Sequence, residues 1–244
     1  MVARAAPDGH TLLLTTGVLW ILPLIQSAPF DAERDFAPVM LIANTPNILV
    51  THPSLPVKTV REVIALAKAR PGDLDYASGA LGSSSHLAAE LFKSMAGVNI
   101  VRVPYRGAGP AVLGLVSGQV QLMFGTASSV RAHIDLSRLR ALAVTSARRS
   151  AVYPQLPTIA EAALNGYEAV TPFALFAPGG TPAAIVDRLN AEIAQVLKQD
   201  DVRQRFFAAG AEVVASAPSE LDSMMREDTA RMRKLVKCAG IRVE

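Results

Sequence analysis

Leu74–Gly97, LDYASGALGSSSHLAAELFKSMAG, holds the pattern on which the fold turns. Leu74 to Ala77 reads as a short buried strand. It runs into the Gly- and Ser-rich turn Ser78-Gly79-Ala80-Leu81-Gly82-Ser83-Ser84-Ser85, and a helix follows over Ser85–Ala96. In that helix Leu87, Leu91 and Met95 recur every four residues, with Ala88 and Phe92 beside them, and Gly97 supplies a stop. The same order comes twice more. Asn99–Val103 leads into Pro104-Tyr105-Arg106-Gly107-Ala108-Gly109 and a helix closed by Gly118. Gln119–Phe124 leads into Gly125-Thr126-Ala127-Ser128-Ser129 and a helix over Ser128–Ile134. A fourth turn, Thr15-Thr16-Gly17, follows a strand at Leu12–Thr15.

Strands alternating with helices predict an α/β protein with parallel sheets. In an open parallel sheet such turns lie at the carboxyl ends of the strands, where ligands bind. Each turn also aims helix N-terminal N–H groups, and the positive end of a helix dipole, at the same crevice. Small hydroxyl residues add donors without filling the space. The pattern therefore predicts a site for a small anion, most simply a carboxylate.

Outside this region, Phe36–Leu49 reads as strand broken at Asn44-Thr45-Pro46, and Pro46, Pro53 and Pro56 crowd a connection suited to a lobe boundary. Lys58–Arg70 is an amphipathic helix with Val60, Val63, Ile64 and Ala67 inward, stopped by Pro71-Gly72. Leu139–Thr145 is a strand, and Thr158-Ile159-Ala160-Glu161 has the spacing of a capping box. Phe173–Ala177 is a strand returning the chain to the first lobe. Thr181-Pro182 opens a long helix with Ile185, Leu189, Ile193 and Val196 on one face. A helix from Asp200 and a last helix from Pro218 to near Gly240 follow. Two crossings, near 46–56 and near 173, predict two lobes with a ligand cleft between them: residues 1–47 plus 173–244, and residues 48–172.

Composition narrows the function. Half of the 244 residues are hydrophobic and 18% are charged, which suits a folded α/β protein rather than a disordered one. The net charge of +3 is mild and spread along helices, which argues against nucleic acid. The single cysteine, Cys238, permits no intrachain disulfide, and the four histidines lack metal-ligand spacing, so no metal site is expected. Gly79…Gly82 and Gly107-Ala108-Gly109 form no dinucleotide fingerprint and no lysine-bearing phosphate loop accompanies them; no cofactor is expected. The apolar run Thr11–Ile25 is interrupted by Pro23 and is shorter than the ~20 residues a membrane span needs. It reads as a strand leading into a helix. Trp20 reads as core, and Met224, Met225 and Met232 as a buried helix stripe.

Several stretches together resemble one family. They are Pro7–Leu13 (PDGHTLL), Tyr76–Gly79 with His86–Phe92 (HLAAELF), Val103–Gly107 (VPYRG), Leu142–Ser146 with Arg149, Leu156–Glu161 (LPTIAE) and Phe176–Pro182 (FAPGGTP). In this order, over essentially the whole chain, they resemble the substrate-binding proteins of tripartite tricarboxylate transporters, the Bug receptors. The resemblance implies a non-enzymatic, monomeric periplasmic receptor of the two-lobe, type II binding-protein fold. Such a receptor closes on a small carboxylate and delivers it to membrane transporter subunits. It further implies ligand contacts from main-chain N–H groups and small hydroxyls. At the matching positions these are Thr15, Thr16 and Gly17 in one lobe, and Ser78, Gly82, Ser83, Ser84, Tyr105, Gly107, Gly125, Thr126 and Ser128 in the other. Met1-Val2-Ala3-Arg4 would fall past the family's signal peptide and first strand, loop and helix.

Two other readings stay open. Ser84 with His86 would be the candidate pair of an α/β enzyme acting on an anionic substrate. No G-x-S-x-G elbow is present, however, and serines at a helix start also serve as caps and anion donors. A truncated relative that senses a ligand without transporting it is the other.

Overall fold

In the computed structural model, which describes residues 1–239, one sixteen-residue strand, Phe36–Thr51, links two compact units. One unit comprises Met1–Asn44 and the chain from Thr171 onward; the other is Thr45–Val170. The break expected at Asn44-Thr45-Pro46 does not occur. Proline removes a ladder donor, but Pro46 falls between registers. Ala43 and Asn44 pair with Val213 and Glu212, and the next ladder begins at Asn47.

The first unit contains β1 (Leu13–Thr16), α1 (Val18–Ile25), the start of β2 (the Phe36–Thr51 strand), and most of β7 (Val170–Pro178). It also holds α7 (Ala183–Leu197), α8 (Asp200–Ala208), the two-residue β8 (Glu212–Val213) and α9 (Pro218–Ala239). β1 runs antiparallel to β7 and is only half-buried, with Leu14 turned outward. Trp20 is core, as expected: its ring packs on Phe176 and its Nε1 donates to Asp228 Oδ2 at 2.8 Å, tying α1 to α9. Met225 and Met232 are buried on α9, whose expected end near Gly240 lies outside the described residues. On α7 the expected face is kept in part: Leu189 and Ile193 pack against the core, partly buried, but the face also takes in the buried Val186 and Leu197 and leaves out the exposed Val196. The reason is polar: Asn190 must face inward, because its Nδ2 donates to the carbonyls of Val39 and Ser216, both at 2.8 Å. Among the described residues no helix is long and apolar enough to cross a membrane.

The second unit contains the rest of β2, with β3 (Asp75–Ser78), β4 (Val101–Pro104), β5 (Leu122–Thr126) and β6 (Arg140–Val144). Its helices are α2 (Val60–Ala69), α3 (Ser84–Ala96), α4 (Ala108–Val116), α5 (Ala127–Asp135) and α6 (Ile159–Ala162). The strand order is β6-β2-β5-β3-β4. β3 is parallel to β4 and to β5, as their crossover helices demand. β2 is antiparallel to both β5 and β6, so the sheet is mixed, not parallel throughout. No crossover helix joins β2 to either neighbour as the next strand, so nothing local forces it parallel.

Side chains alternate across this sheet. Leu49, Tyr76, Phe124 and Leu142 pack with α2, α3 and Tyr167 on one face; Ile48, Val50, Ala77 and Met123 pack with α4 and α5 on the other. Phe92 of α3 meets Phe124 at 5.4 Å between ring centroids, and both are fully buried, each worth about 1.5–3 kcal/mol. The α3 stripe differs from expectation. Ala88 and Phe92 are fully buried, whereas Met95 is 38% exposed. A four-residue repeat outruns the 3.6-residue turn, and over eight residues the drift is about 80°, which carries Met95 off the face.

Candidate functional site

β3, β4 and β5 end side by side. Ser78 stands in register with Pro104, and Ala77 with Met123, so the turns that follow leave one edge of the sheet. Each turn then opens a helix: α3 at Ser84, α4 at Ala108, α5 at Ala127. The first N–H groups of any helix lack intrahelical partners. In this unit α2 and α6 satisfy theirs with capping boxes, Thr59 with Glu62 and Thr158 with Glu161. α3, α4 and α5 have no side-chain cap at all. Within this unit the three helices at the carboxyl edge are the ones without a side-chain cap; α1, α7 and α8 of the other unit also start without one.

The turn after β3 is braced from within. Gly79 N–H donates to Ser85 Oγ at 3.1 Å, and Gly82 N–H donates to His86 Nδ1 at 3.1 Å. Ser83 occupies the N-cap position without capping; its Oγ lies 3.1 Å from Ser85 Oγ. Ser78 is fully buried, its hydroxyl receiving Arg102 Nε at 2.7 Å and donating to Gly79 O, which Arg102 Nη2 also reaches at 2.9 Å. Ser84, half-buried at the first helical position, makes no side-chain hydrogen bond among the described residues.

The other two turns are glycine-dependent for different reasons. Gly107 has φ +115°, a conformation side chains resist, although a Cβ there would meet nothing within 4 Å. At Gly125 the constraint is packing, since a Cβ would sit 2.4 Å from Val130 Cγ1 of α5. Thr126 stands at the N-cap of α5, its Oγ1 donating to Ser129 Oγ at 3.0 Å, and Ser128 is exposed.

Tyr105 is not brought to this cluster. Its ring lies back over Gly114 in the last turn of α4, and its hydroxyl points at Gln119 Oε1, 3.5 Å away. The spacing places Tyr105 in the turn, but only the tertiary packing shows that its side chain leaves it. Arg106 is exposed. Thr15, Thr16 and Gly17 form the corresponding turn of the other unit, where Gly17 is the N-cap of α1, again without a side-chain cap.

Sequence reasoning misses Asn47. It pairs with Thr126 across the β2–β5 ladder, at the same edge as the turns, and is 1% exposed. Its main chain is held by Thr145: Asn47 N–H donates to Thr145 Oγ1 at 2.8 Å, and Thr145 N–H donates to Asn47 O at 2.9 Å. Neither Oδ1 nor Nδ2 has a protein partner. A buried amide without partners is costly. The available signal was a lone polar residue between Pro46 and the apolar run Ile48–Val50.

Charge behind the β3 turn is organised around Glu90, which accepts from Tyr76 O–H at 2.6 Å and from Lys93 Nζ at 2.8 Å. Burial, and then Glu90, push the Tyr76 hydroxyl far above its usual range. His86, 3% exposed, is driven the other way, to about 4, by burial first and by the Arg102 charge second. It accepts from the Gly82 N–H in its neutral form and so helps hold the turn. Among the described residues no three His, Cys, Asp or Glu side chains come together as metal ligands do.

The chain matches the family model of the tripartite tricarboxylate transporter family receptor over residues 1–241. It belongs to that family. The receptor resembles protein BugT of Bordetella pertussis, with 36% identity over 245 residues, covering 99% of this chain and 75% of that one. Among solved structures it is similar to Rpa4515 of R. palustris with adipate. That match has TM-score 0.89 and 37% identity, over 99% of this chain and 82% of the other. It is also similar to MatC from Rhodopseudomonas palustris with bound malate, with TM-score 0.81 and 32% identity, over 96% of this chain and 82% of the other. The receptor therefore has the mixed α/β fold of the Bug-type periplasmic binding proteins. Its family and its structural neighbours are solute-binding receptors.

Proposed function

We propose that this receptor binds a small carboxylate at the turn cluster and presents it, in the periplasm and as a monomer, to the membrane subunits of a tripartite tricarboxylate transporter. The observation that carries the reading is the set of three uncapped helix starts at the ends of β3, β5 and β4. Anions settle at such termini because orphan N–H groups and the helix dipole favour negative charge there. The Ser84 and Ser128 hydroxyls, together with the N–H groups at the starts of α3, α4 and α5, supply the donors. Gly82, Ser83, Gly107, Gly125 and Thr126 shape the turns, while Thr15, Thr16 and Gly17 form a like helix start within the other unit. Ser78 braces its turn through Arg102, and Tyr105, whose side chain leaves the turn, has no part in the site. Adipate and malate, bound by relatives at 37% and 32% identity, support the ligand class.

The test is thermal unfolding against a panel of mono- and dicarboxylates that includes adipate and malate, with the matching neutral diamides as controls. A ligand at a hundred times its dissociation constant stabilises the native state by about 2.7 kcal/mol. Ser84→Leu should keep the unliganded melting temperature and lose the ligand-induced rise. Equal stabilisation by diamides, or an undiminished rise in Ser84→Leu, would overturn the reading.

A further inference from the structure

The Thr45–Val170 unit carries a second concavity that shares no residue with the turns. Two adjoining hollows, of about 540 and 370 Å³, follow the outer side of α2 where it meets α6, and Arg61 lines both. Their polar rim is one-sided. Lys58, Arg61, Lys68 and Arg149 are all exposed, whereas the one acidic lining residue, Glu161, is held by Arg149 at 2.9 Å. Glu62, on the same helix, directs its carboxylate to the backbone N–H groups of Lys58 and Thr59. Lys58, Arg61 and Lys68 make no ion pair among the described residues. Arg61 is anchored across the groove, its Nε donating to Ala162 O at 2.8 Å, so its terminal amino groups stay available.

Apolar residues lie between these cations: the largely buried Leu142 and Leu156 at the bottom of the first hollow, and the half-buried Ile64 and Leu164 with the exposed Met95 in the second. Arg61 to Lys68 spans about 10 Å along α2, two helical turns, with Lys58 just before the helix start. A groove with an apolar floor and basic walls suits an amphipathic helix whose apolar stripe fills the floor and whose flanks are acidic. Exposed ion pairs contribute little singly, so the occupant needs both halves of this chemistry.

We propose that this groove docks an acidic amphipathic helix of a partner protein, an interaction surface separate from the carboxylate site and independent of it. The probe is a labelled fourteen-residue peptide with leucine at every third or fourth position and glutamate between, followed by fluorescence anisotropy. Arg61→Glu with Lys68→Glu should weaken binding about tenfold or more. Lys58→Glu with Lys68→Glu, which leaves the Arg61 anchor in place, should do likewise. Arg203→Glu with Arg205→Glu on α8 makes the same change in net charge elsewhere and should leave binding within about twofold. Binding should fall between about 50 and about 300 mM salt, and fail when the leucines become serine. Equal loss in the α8 variant, or undiminished binding of the serine peptide, would overturn the proposal in favour of unspecific charge attraction. Anionic lipid vesicles that bind wild type but not the groove variants would overturn it in favour of a membrane surface.

Discussion

His86 makes the stability of the receptor depend on pH in a stated direction. Burial, aided by the Arg102 charge, lowers its folded value from 6.5 to about 4. Between those values the unfolded chain takes up the proton and the native state does not. The stability associated with neutral His86 is therefore fully present above about pH 6.5 and is lost as pH falls toward 4. At 1.36 kcal/mol per unit the whole displacement amounts to about 3 kcal/mol. Protonation would also turn Nδ1 from acceptor to donor and set it against the Gly82 N–H, loosening the turn after β3. The assay is urea unfolding of wild type and His86→Gln from about pH 4 to about pH 8. The carboxylates common to both proteins cancel in the difference between them. That difference should change by about 3 kcal/mol across the window and level off above it. A pH-independent difference, or a His86 ring that titrates near 6.5 by NMR in the folded protein, would refute the reasoning.

Two glycines with close would-be contacts should behave differently. Gly125→Ala drives a Cβ to 2.4 Å from the fully buried Val130, and should cost about 1–3 kcal/mol in denaturant unfolding. Gly114→Ala meets the Tyr105 hydroxyl at 2.2 Å, but that half-exposed side chain can swing outward, so stability should change by less than about 1 kcal/mol. Thr59→Ala removes the capping box of α2, with an expected loss of about 1 kcal/mol and no change in carboxylate affinity by calorimetry.

Much of the fold was legible because its signals are local. Gly97, at φ +60°, ends α3 where the sequence placed a stop, and Thr158 caps the helix it precedes through the spacing to Glu161. Helix phase was less legible. The repeat through Met95 and the face assigned to Val196 look right by spacing alone. The orientation of each helix is set by what it packs on, the Phe92–Phe124 contact for α3 and the Asn190 bonds for α7. The turns of the site were visible as glycine and serine between a strand and a helix. Their division of labour was not: Ser78 is taken up by Arg102, twenty-four residues away, and Tyr105 by the surface over Gly114.

By itself, then, the chain order of apolar runs, glycine–serine turns and helix starts determined an α/β protein with three strand–turn–helix junctions at one sheet edge. Those features depend on neighbours in sequence, where backbone propensity and capping act. Tertiary structure alone decided that β2 runs through Pro46 and lies antiparallel in its sheet. It also decided that Asn47 reaches the edge with its amide unpartnered, and which hydroxyls remain uncommitted. These outcomes follow from hydrogen bonds and packing between residues distant in sequence, which no local pattern encodes.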